Sequence, residues 1–387
     1  MIQVLVVIGT RPEAIKMFPV IRCLSRRSDA FSLKVCSVGQ HREMLDQMLV
    51  LFGIEPDFEL NVMTHDQSLN GIVSRALSGL ERMMARERPD VVLLQGDTTA
   101  AFAAALTAFH NRIPVGHVEA GLRTGDDRNP FPEEMNRRLV SCVAEWHFAP
   151  TVRARENLLR ENVDADRVFV TGNTVVDALM QVAAEAGERR ETVLSDAGLL
   201  EPLARTQRFV IVTAHRRENF GSPLKSICRA VDRLAGQFED VGFVFSVHRN
   251  PTVNATVRSL LNGRKNVVLT EPLPYDAFVL LMKECHLILT DSGGIQEEAP
   301  TFGKPVLVMR EKTERPEAVE AGVARVVGTD ADAIVEETKR LITNPREYEK
   351  MANARNPFGD GRAAERIAQI LVDVLVGEHR CATPLTL

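Results

Sequence analysis

Short apolar runs recur along this chain in two successive series, each run followed by a polar or Gly-bearing turn and then by an amphipathic helical stretch. The first series places strands at 3–8, 33–38, 91–95, 115–118, 146–148 and 168–170, with helices at 12–27, 43–52, 67–86 and 99–111. A largely helical, mixed-charge and polar stretch at 171–205 then reads as an interdomain connection. Beyond it the pattern restarts, with strands at 209–213, 242–247, 266–269, 287–290, 305–309 and 323–327. Strands separated by helices join through crossovers, not hairpins, so the pattern predicts parallel sheets covered on both faces. At 387 residues the chain exceeds one typical core. The expected fold class is therefore α/β, with two doubly wound Rossmann-like domains facing a cleft. The expected division is 1–171, 172–360 and a C-terminal segment 361–387. In that segment a helix at 361–376 follows the break at Asn356-Pro-Phe-Gly-Asp-Gly361 and packs back on the first domain, and residues 377–387 are loose. Ligands of such sheets bind beyond the carboxyl ends of the strands, and the notable motifs fall there.

Composition removes several function classes. A net charge of -5 with one Trp and two Tyr argues against a nucleic-acid platform, which needs a basic surface and stacking aromatics. The six cysteines lack Cys-x-x-Cys spacing, which suits reduced thiols and gives no support for a zinc site. The opening apolar run lacks a basic leader and no apolar segment reaches membrane-spanning length, so a cytoplasmic protein without membrane contact is expected.

The richest stretch is Leu287-Ile-Leu-Thr-Asp291-Ser292-Gly293-Gly294-Ile-Gln-Glu297-Glu298-Ala-Pro300. It reads as strand, turn and helix, with Ser292 or Asp291 as helix cap and two glycines that open backbone N–H groups to a ligand. Such a helix start suits an anion, and Glu298, one turn beyond Gly294, suits a ribose diol. A tight βα turn explains the same glycines. Gly9-Thr10-Arg11-Pro12-Glu13 closes the first strand, with Lys16 a turn later, and Arg11 and Lys16 are of a type to contact phosphate or sugar. Asp97 follows the strand at 91–95, where it serves either as a reactive group or as a helix cap. Glu119 follows the strand at 115–118. Glu133 and Glu134 open a helix, where they meet its dipole and pair with Arg137 and Arg138 four residues on. Asp97, Glu119 and Glu133 converging on one cleft would supply acid and base groups on both sides of a substrate. In the second series His215, followed by Arg216 and Arg217, suits phosphate contact or proton transfer, though a lone His is more often structural. His248 at a similar strand end is read as structural. Arg315, at another strand end, is suited to clamp an anion.

Taken together the motifs resemble those of the non-hydrolysing UDP-N-acetylglucosamine 2-epimerase family. The resemblance runs through Gly9–Lys16, Gln40-His-Arg-Glu-Met-Leu-Asp46, Gly96-Asp-Thr98 and His117-Val-Glu-Ala-Gly-Leu-Arg-Thr-Gly125. It continues through Pro132-Glu-Glu134, His215-Arg-Arg-Glu218, Thr290–Pro300, Gly303–Arg310 and Thr313–Glu317, in order and over nearly the whole chain. It implies a glycosyltransferase-B-like architecture, no metal or nicotinamide cofactor, and a homodimer. The implied activity interconverts UDP-N-acetylglucosamine and UDP-N-acetylmannosamine, supplying N-acetylmannosamine units for cell-surface polysaccharide. Arg11, Lys16, His215, Ser292, Gly293, Gly294, Glu298 and Arg315 are then expected to hold UDP. Asp97, Glu119 and Glu133 are expected to do the chemistry, with His215 also counted on the catalytic side. Two departures stand out. Leu273 is apolar where some relatives offer a polar group toward uracil, and Glu43 stands where substrate-regulated relatives can carry Gln. The rivals are a hydrolysing epimerase or a glycosyltransferase of the same fold, and a UDP-sugar sensor that binds without turnover. A sensor needs no set of strand-end carboxylates.

Overall fold

The computed structural model describes residues 1–39, 42–63 and 68–381. Gln40, His41 and Gln67 lie outside the described residues, as does the side chain of Glu43. Thirteen strands are found among the described residues: β1 (Ile2–Ile8), β2 (Phe31–Ser37), β3 (Phe58–Glu59), β4 (Val91–Gln95), β5 (Val115–Val118), β6 (Trp146–Ala149), β7 (Val168–Val170), β8 (Arg208–Ala214), β9 (Val241–Val247), β10 (Val267–Thr270), β11 (Leu287–Thr290), β12 (Val306–Val308) and β13 (Ala324–Val326). They form two sheets, ordered β3-β2-β1-β4-β5-β6-β7 and β10-β9-β8-β11-β12-β13. Every recorded pairing is parallel. The chain divides into Met1–Ala178 with Phe358–Leu387 (unit 1) and Leu179–Pro357 (unit 2).

The central strands are continuous apolar runs because both of their faces are covered. Val4, Leu5, Val6, Val7 and Ile8 are all buried, alternate residues facing opposite helix layers. In unit 1 the helices Leu69–Glu87, Thr99–His110 and Glu133–Val143 pack as one layer, and Arg11–Arg26, Arg42–Phe52 and Ala363–Cys381 as another. In unit 2 the helix Ser222–Gln237 packs with Pro251–Leu261 and Ala331–Thr343, while Tyr275–Glu284 lies among Arg190–Asp196 and Ala299–Phe302. In each sheet the order reverses once, between β1 and β4 and between β8 and β11. At such a point adjacent strands send their chains to opposite faces, and a crevice opens beyond their carboxyl ends.

Three expectations are corrected. The stretch read as a polar connection contains the helix Thr174–Glu188, whose Val175, Val176, Leu179, Val182, Ala183 and Ala186 are buried. The division between units falls inside this helix, whereas a boundary at 171/172 was expected. The C-terminal helix reaches Cys381, so part of the tail expected to be loose is helical. Residues 382–387 lie outside the described residues. The two-residue edge strand β3 gave too little periodicity to be seen in the sequence.

The return of the chain to unit 1 is pinned by one carboxylate. Asp177 accepts hydrogen bonds from Ala363 N (3.2 Å) and Ala364 N (2.9 Å), two of the first N–H groups of the C-terminal helix. Beside it Asn173 N donates to Phe358 O at 2.7 Å, and Gly172 faces Gly359 backbone to backbone. Asp177→Ala should therefore cost about 1–3 kcal/mol. Native-state hydrogen exchange should show faster exchange at 363–376 with β4 unchanged. Equal protection of both segments would contradict this docking.

Candidate active site

In unit 1 the residues beyond β1, β4 and β5 form one hydrogen-bonded cluster. Glu13 sits in the first turn of the helix Arg11–Arg26 and is buried. Its carboxylate accepts from Gly9 N at 2.7 Å and from Thr98 Oγ1 at 2.6 Å, joining the ends of β1 and β4. Thr98 Oγ1 in turn accepts from Ala101 N at 3.0 Å, capping the helix Thr99–His110. Thr98, not Asp97, is thus the helix cap, and the side chain of Asp97 is left for other work. Arg137 NH2 pairs with Asp97 Oδ2 at 2.6 Å, and Asn136 Nδ2 donates to Asp97 O at 2.9 Å. The helix Glu133–Val143 is thereby docked against Asp97, with Glu133 as its first residue.

The expected pairing of both glutamates with arginines four residues on is not what forms. Arg137 NH1 pairs with Glu134 at 2.8 Å, three residues back, and Arg138 NH1 pairs with Asp127 at 2.8 Å. Glu134 is fully buried and also accepts from Thr124 N at 3.0 Å, so it holds the preceding loop. Arg137 thus bridges two carboxylates that the sequence had not linked.

Glu119 adopts φ +63°, a left-handed conformation that is uncommon for a side chain of this kind and is often found where a site demands it. Three donors converge on its carboxylate: Lys16 Nζ, Gln95 Nε2 at 3.1 Å and Asn173 Nδ2 at 3.1 Å. Lys16, assigned to UDP from the sequence, here has its ammonium on Glu119. Asp97 and Glu119 follow adjacent strands, since β4 and β5 pair with Gln95 opposite Val118. His117 beside them is buried, and its Nε2–H donates to Gly96 O at 2.8 Å. Burial, with His147 next, pulls its pKa down to about 3, so it is a neutral structural group that fixes the peptide before Asp97.

In unit 2 the residues beyond β8 and β11 form a second cluster. Asp291 is fully buried, and it accepts from His215 N (3.0 Å), Arg216 N (2.9 Å) and Asn219 Nδ2 (2.9 Å). It does not cap the following helix; it holds the His215–Asn219 loop. Ser292 occupies the cap position of the helix Gly293–Glu298 without a side-chain cap bond. A Cβ on Gly293 would meet Arg216 NH2 at 3.3 Å, so the guanidinium lies directly over this glycine. A Cβ on Gly294 would stand 3.8 Å from Glu298 Oε1, which places Glu298 on the expected face. Arg315 is oriented by Glu297 at its Nε and by Glu314 O at its NH1, 3.1 Å away. Arg310 lies beside them, paired with Glu218 at 2.6 Å and Glu314 at 3.3 Å. His215 has a lowered pKa, burial outweighing the attraction of Asp291, and its ring stacks near His248 with centroids 6.2 Å apart.

The structure thus brings Asp97, Glu119, Lys16 and the helix of Glu133 together in unit 1. In unit 2 it brings His215, Ser292, Gly293, Gly294 and Glu298 together, with Arg315 on Glu297 of the same short helix. Arg11 lies at the start of its helix, half-buried, beyond β1. Sequence reasoning missed Glu13, Gln95, Arg137, Asn173 and the true role of Asp291. Glu13 alone carried a signal, as a carboxylate one turn after a strand end.

Glu13 makes a pH test possible. Burial raises its pKa from 4.5 to about 7 against the pull of its hydrogen-bond donors. Between those values the folded chain keeps a proton that the unfolded chain has lost. The contribution to stability is therefore full below pH 4.5 and is lost as pH rises through about 7. Between pH 4.5 and 7.5 the unsubstituted protein should lose on the order of 3 kcal/mol more stability than Glu13→Gln. Denaturant titrations at stepped pH measure this, and parallel curves would contradict it.

A sequence profile described as UDP-N-acetylglucosamine 2-epimerase matches residues 24–372. The chain is 52% identical to the UDP-N-acetylglucosamine 2-epimerase of Escherichia coli K12 over 376 residues, covering 95% of this chain and 98% of that protein. It matches the crystal structure of the Neisseria meningitidis UDP-GlcNAc 2-epimerase bound to UDP-GlcNAc with TM-score 0.85 and 47% identity, covering 96% of this chain and 100% of that one. It matches the S. aureus MnaA-UDP co-structure with TM-score 0.84 and 41% identity, over 97% of each chain. The order of motifs, the two doubly wound α/β units and these full-length similarities agree: the chain belongs to the UDP-N-acetylglucosamine 2-epimerase family.

Proposed function

We propose that this chain interconverts UDP-N-acetylglucosamine and UDP-N-acetylmannosamine by loss and return of UDP. The supporting observation is the pair Asp97 and Glu119 on adjacent strand ends, each carboxylate in contact with a cationic side chain. Carbon 2 of the sugar has no neighbouring carbonyl, so its proton is not acidic enough for direct removal. As the C1–O bond breaks, its electron pair goes to the departing UDP and positive character grows at C1. A carboxylate takes the C2 proton, and the C–H electrons become the C1=C2 bond of a 2-acetamidoglucal. Delivery of a proton to the opposite face of C2, with a UDP oxygen adding back at C1, inverts that centre.

Each demand of this scheme has residues suited to it. The departing diphosphate needs fixed donors and positive charge, which Arg216, Arg315, His215 and the Ser292–Gly294 turn offer in unit 2. Arg11 in unit 1 is assigned to the same end of the substrate, and Glu298 to the ribose. Acid and base on two faces are assigned to Asp97, Glu119 and Glu133. Lys16 shifts in this reading from the diphosphate to Glu119, whose charge it balances. Arg137 likewise holds Asp97, and both are positioning groups as well as electrostatic ones. The scheme requires no metal or nicotinamide. A cytoplasmic homodimer that supplies N-acetylmannosamine for cell-surface polysaccharide belongs to the same reading; among the described residues no helix is long and apolar enough to cross a membrane.

Asp97→Asn keeps the size of the side chain and removes its proton chemistry. Turnover should fall by about a hundred- to ten-thousand-fold, as for loss of a general acid or base, and Glu119→Gln should behave alike. Affinity for UDP by calorimetry should stay within about threefold in both, less than one ordinary hydrogen bond is worth. Turnover retained in either variant would remove that residue from the scheme, and a matching loss of UDP affinity would make it a binding group.

A further inference from the structure

At the opposite, amino-terminal edge of the second sheet lies a cavity of about 380 Å³ that the catalytic reading does not use. Its walls come from the residues that lead into three neighbouring strands. These are Arg208 at the start of β8, Glu284-Cys285-His286 before β11, and Lys304 before β12, with Arg190 and Tyr348 closing the sides. All of them belong to unit 2. Its volume is that of a small-molecule site, but the lining is polar and charged where drug-like pockets are mainly apolar.

The charges around it are unequal. Arg190 is neutralised by Glu284 in a two-pronged pair, Nε to Oε1 at 2.6 Å and NH2 to Oε2 at 2.8 Å. Arg208 is held in place by Ile342 O at 3.0 Å, while its carboxylate neighbour Asp240 is 3.7 Å away and half exposed to water. Lys304 has no ion pair or side-chain hydrogen bond among the described residues. Two cations therefore face the cavity with little local compensation. His286 Nε2 is buried without a hydrogen-bond partner. Its ring stacks on Tyr348 at 4.3 Å and 4°, and Tyr348 Oη donates to His286 O at 3.1 Å, so the wall is rigid. Cys285 is buried and its thiol is pushed up to about 12, which leaves it no nucleophilic part to play.

We propose that this cavity is a second ligand site, which takes a small phosphorylated anion on Arg208 and Lys304. A guanidinium whose nearest carboxylate is 3.7 Å away and half exposed to water, together with the Lys304 ammonium, matches the oxygens of a phosphate group. Glu284 stays on Arg190 and sets the polar limit of the pocket. From Arg208 to His215 the strand β8 spans roughly 20 Å at the usual strand rise, so this site is separate from the groups assigned to UDP.

Inorganic phosphate is the probe, titrated by calorimetry into full-length protein already saturated with UDP, so that the nucleotide site does not compete. One phosphate should bind per chain, and Lys304→Gln and Arg208→Gln should each weaken it by about tenfold, the value of one charge-assisted hydrogen bond. No phosphate uptake by the unsubstituted protein, or uptake by both variants as tight as that of the unsubstituted protein, overturns the proposal. If UDP fails to bind, that counts against the catalytic reading alone, and the same comparison is run without UDP. Arg208→Gln also loses the tie to Ile342, so a second measurement uses the unsubstituted chain. Phosphate should slow acetylation of Lys304, read by mass spectrometry, relative to the exposed Lys265. A Lys304 rate that phosphate changes no more than it changes that of Lys265 would refute the site.

Discussion

In each unit a buried carboxylate ties together the two strand ends at which the sheet reverses its order. Glu13, one turn after β1, receives Gly9 N and the hydroxyl of Thr98 beyond β4. Asp291, directly after β11, receives the His215 and Arg216 amides beyond β8 and the side chain of Asn219. The last amides of parallel strands have no ladder partner, and a buried N–H left unpaired is costly. A carboxylate with two oxygens accepts several donors at once, so one side chain satisfies a whole loop. The side chains assigned to the site are then carried on backbone that has little freedom to move.

These ties also set the local arrangement within each unit. In unit 1 the tie orders Thr98 as the helix cap, and Asp97 and Glu119 then stand side by side, one with Arg137 and the other with Lys16. Each carboxylate thus has a cationic side chain within ion-pair distance, which compensates charge in a partly buried setting. In unit 2 the tie leaves Arg216 over Gly293 and leaves the first turn of a short helix without a side-chain cap. In the proposed scheme that unit is assigned the departing diphosphate, and the carboxylates of the other are assigned the proton.

Most of the fold could be read from the chain because its strands are buried on both faces. A run such as Val4–Ile8 has no polar side to confuse with a helix. The strand ends that hold the candidate site residues were legible for the same reason, since a parallel sheet places every carboxyl end on one edge. What stayed hidden was decided by distances that sequence spacing does not encode. Lys16 meets Glu119 across 103 positions, and Asn136 meets Asp97 across 39. Arg137 was read as a neighbour of Glu133 on the helix surface, because helical spacing was the only geometry visible there. Asp291 was read as a cap for its own helix, although the donors it satisfies come from a loop more than seventy positions earlier. The helix Thr174–Glu188 was misjudged because its charged residues were weighed over the apolar stripe that it buries.

The central claim is that a proton leaves and returns at C2 while UDP is detached. Proton NMR of the purified protein with UDP-N-acetylglucosamine in deuterium oxide, with no metal or nicotinamide added, tests it most directly. The account predicts UDP-N-acetylmannosamine carrying deuterium at C2, with substrate slowly acquiring the same label. Product that keeps its C2 hydrogen would contradict proton removal, and accumulation of free N-acetylmannosamine would show a hydrolysing reaction instead.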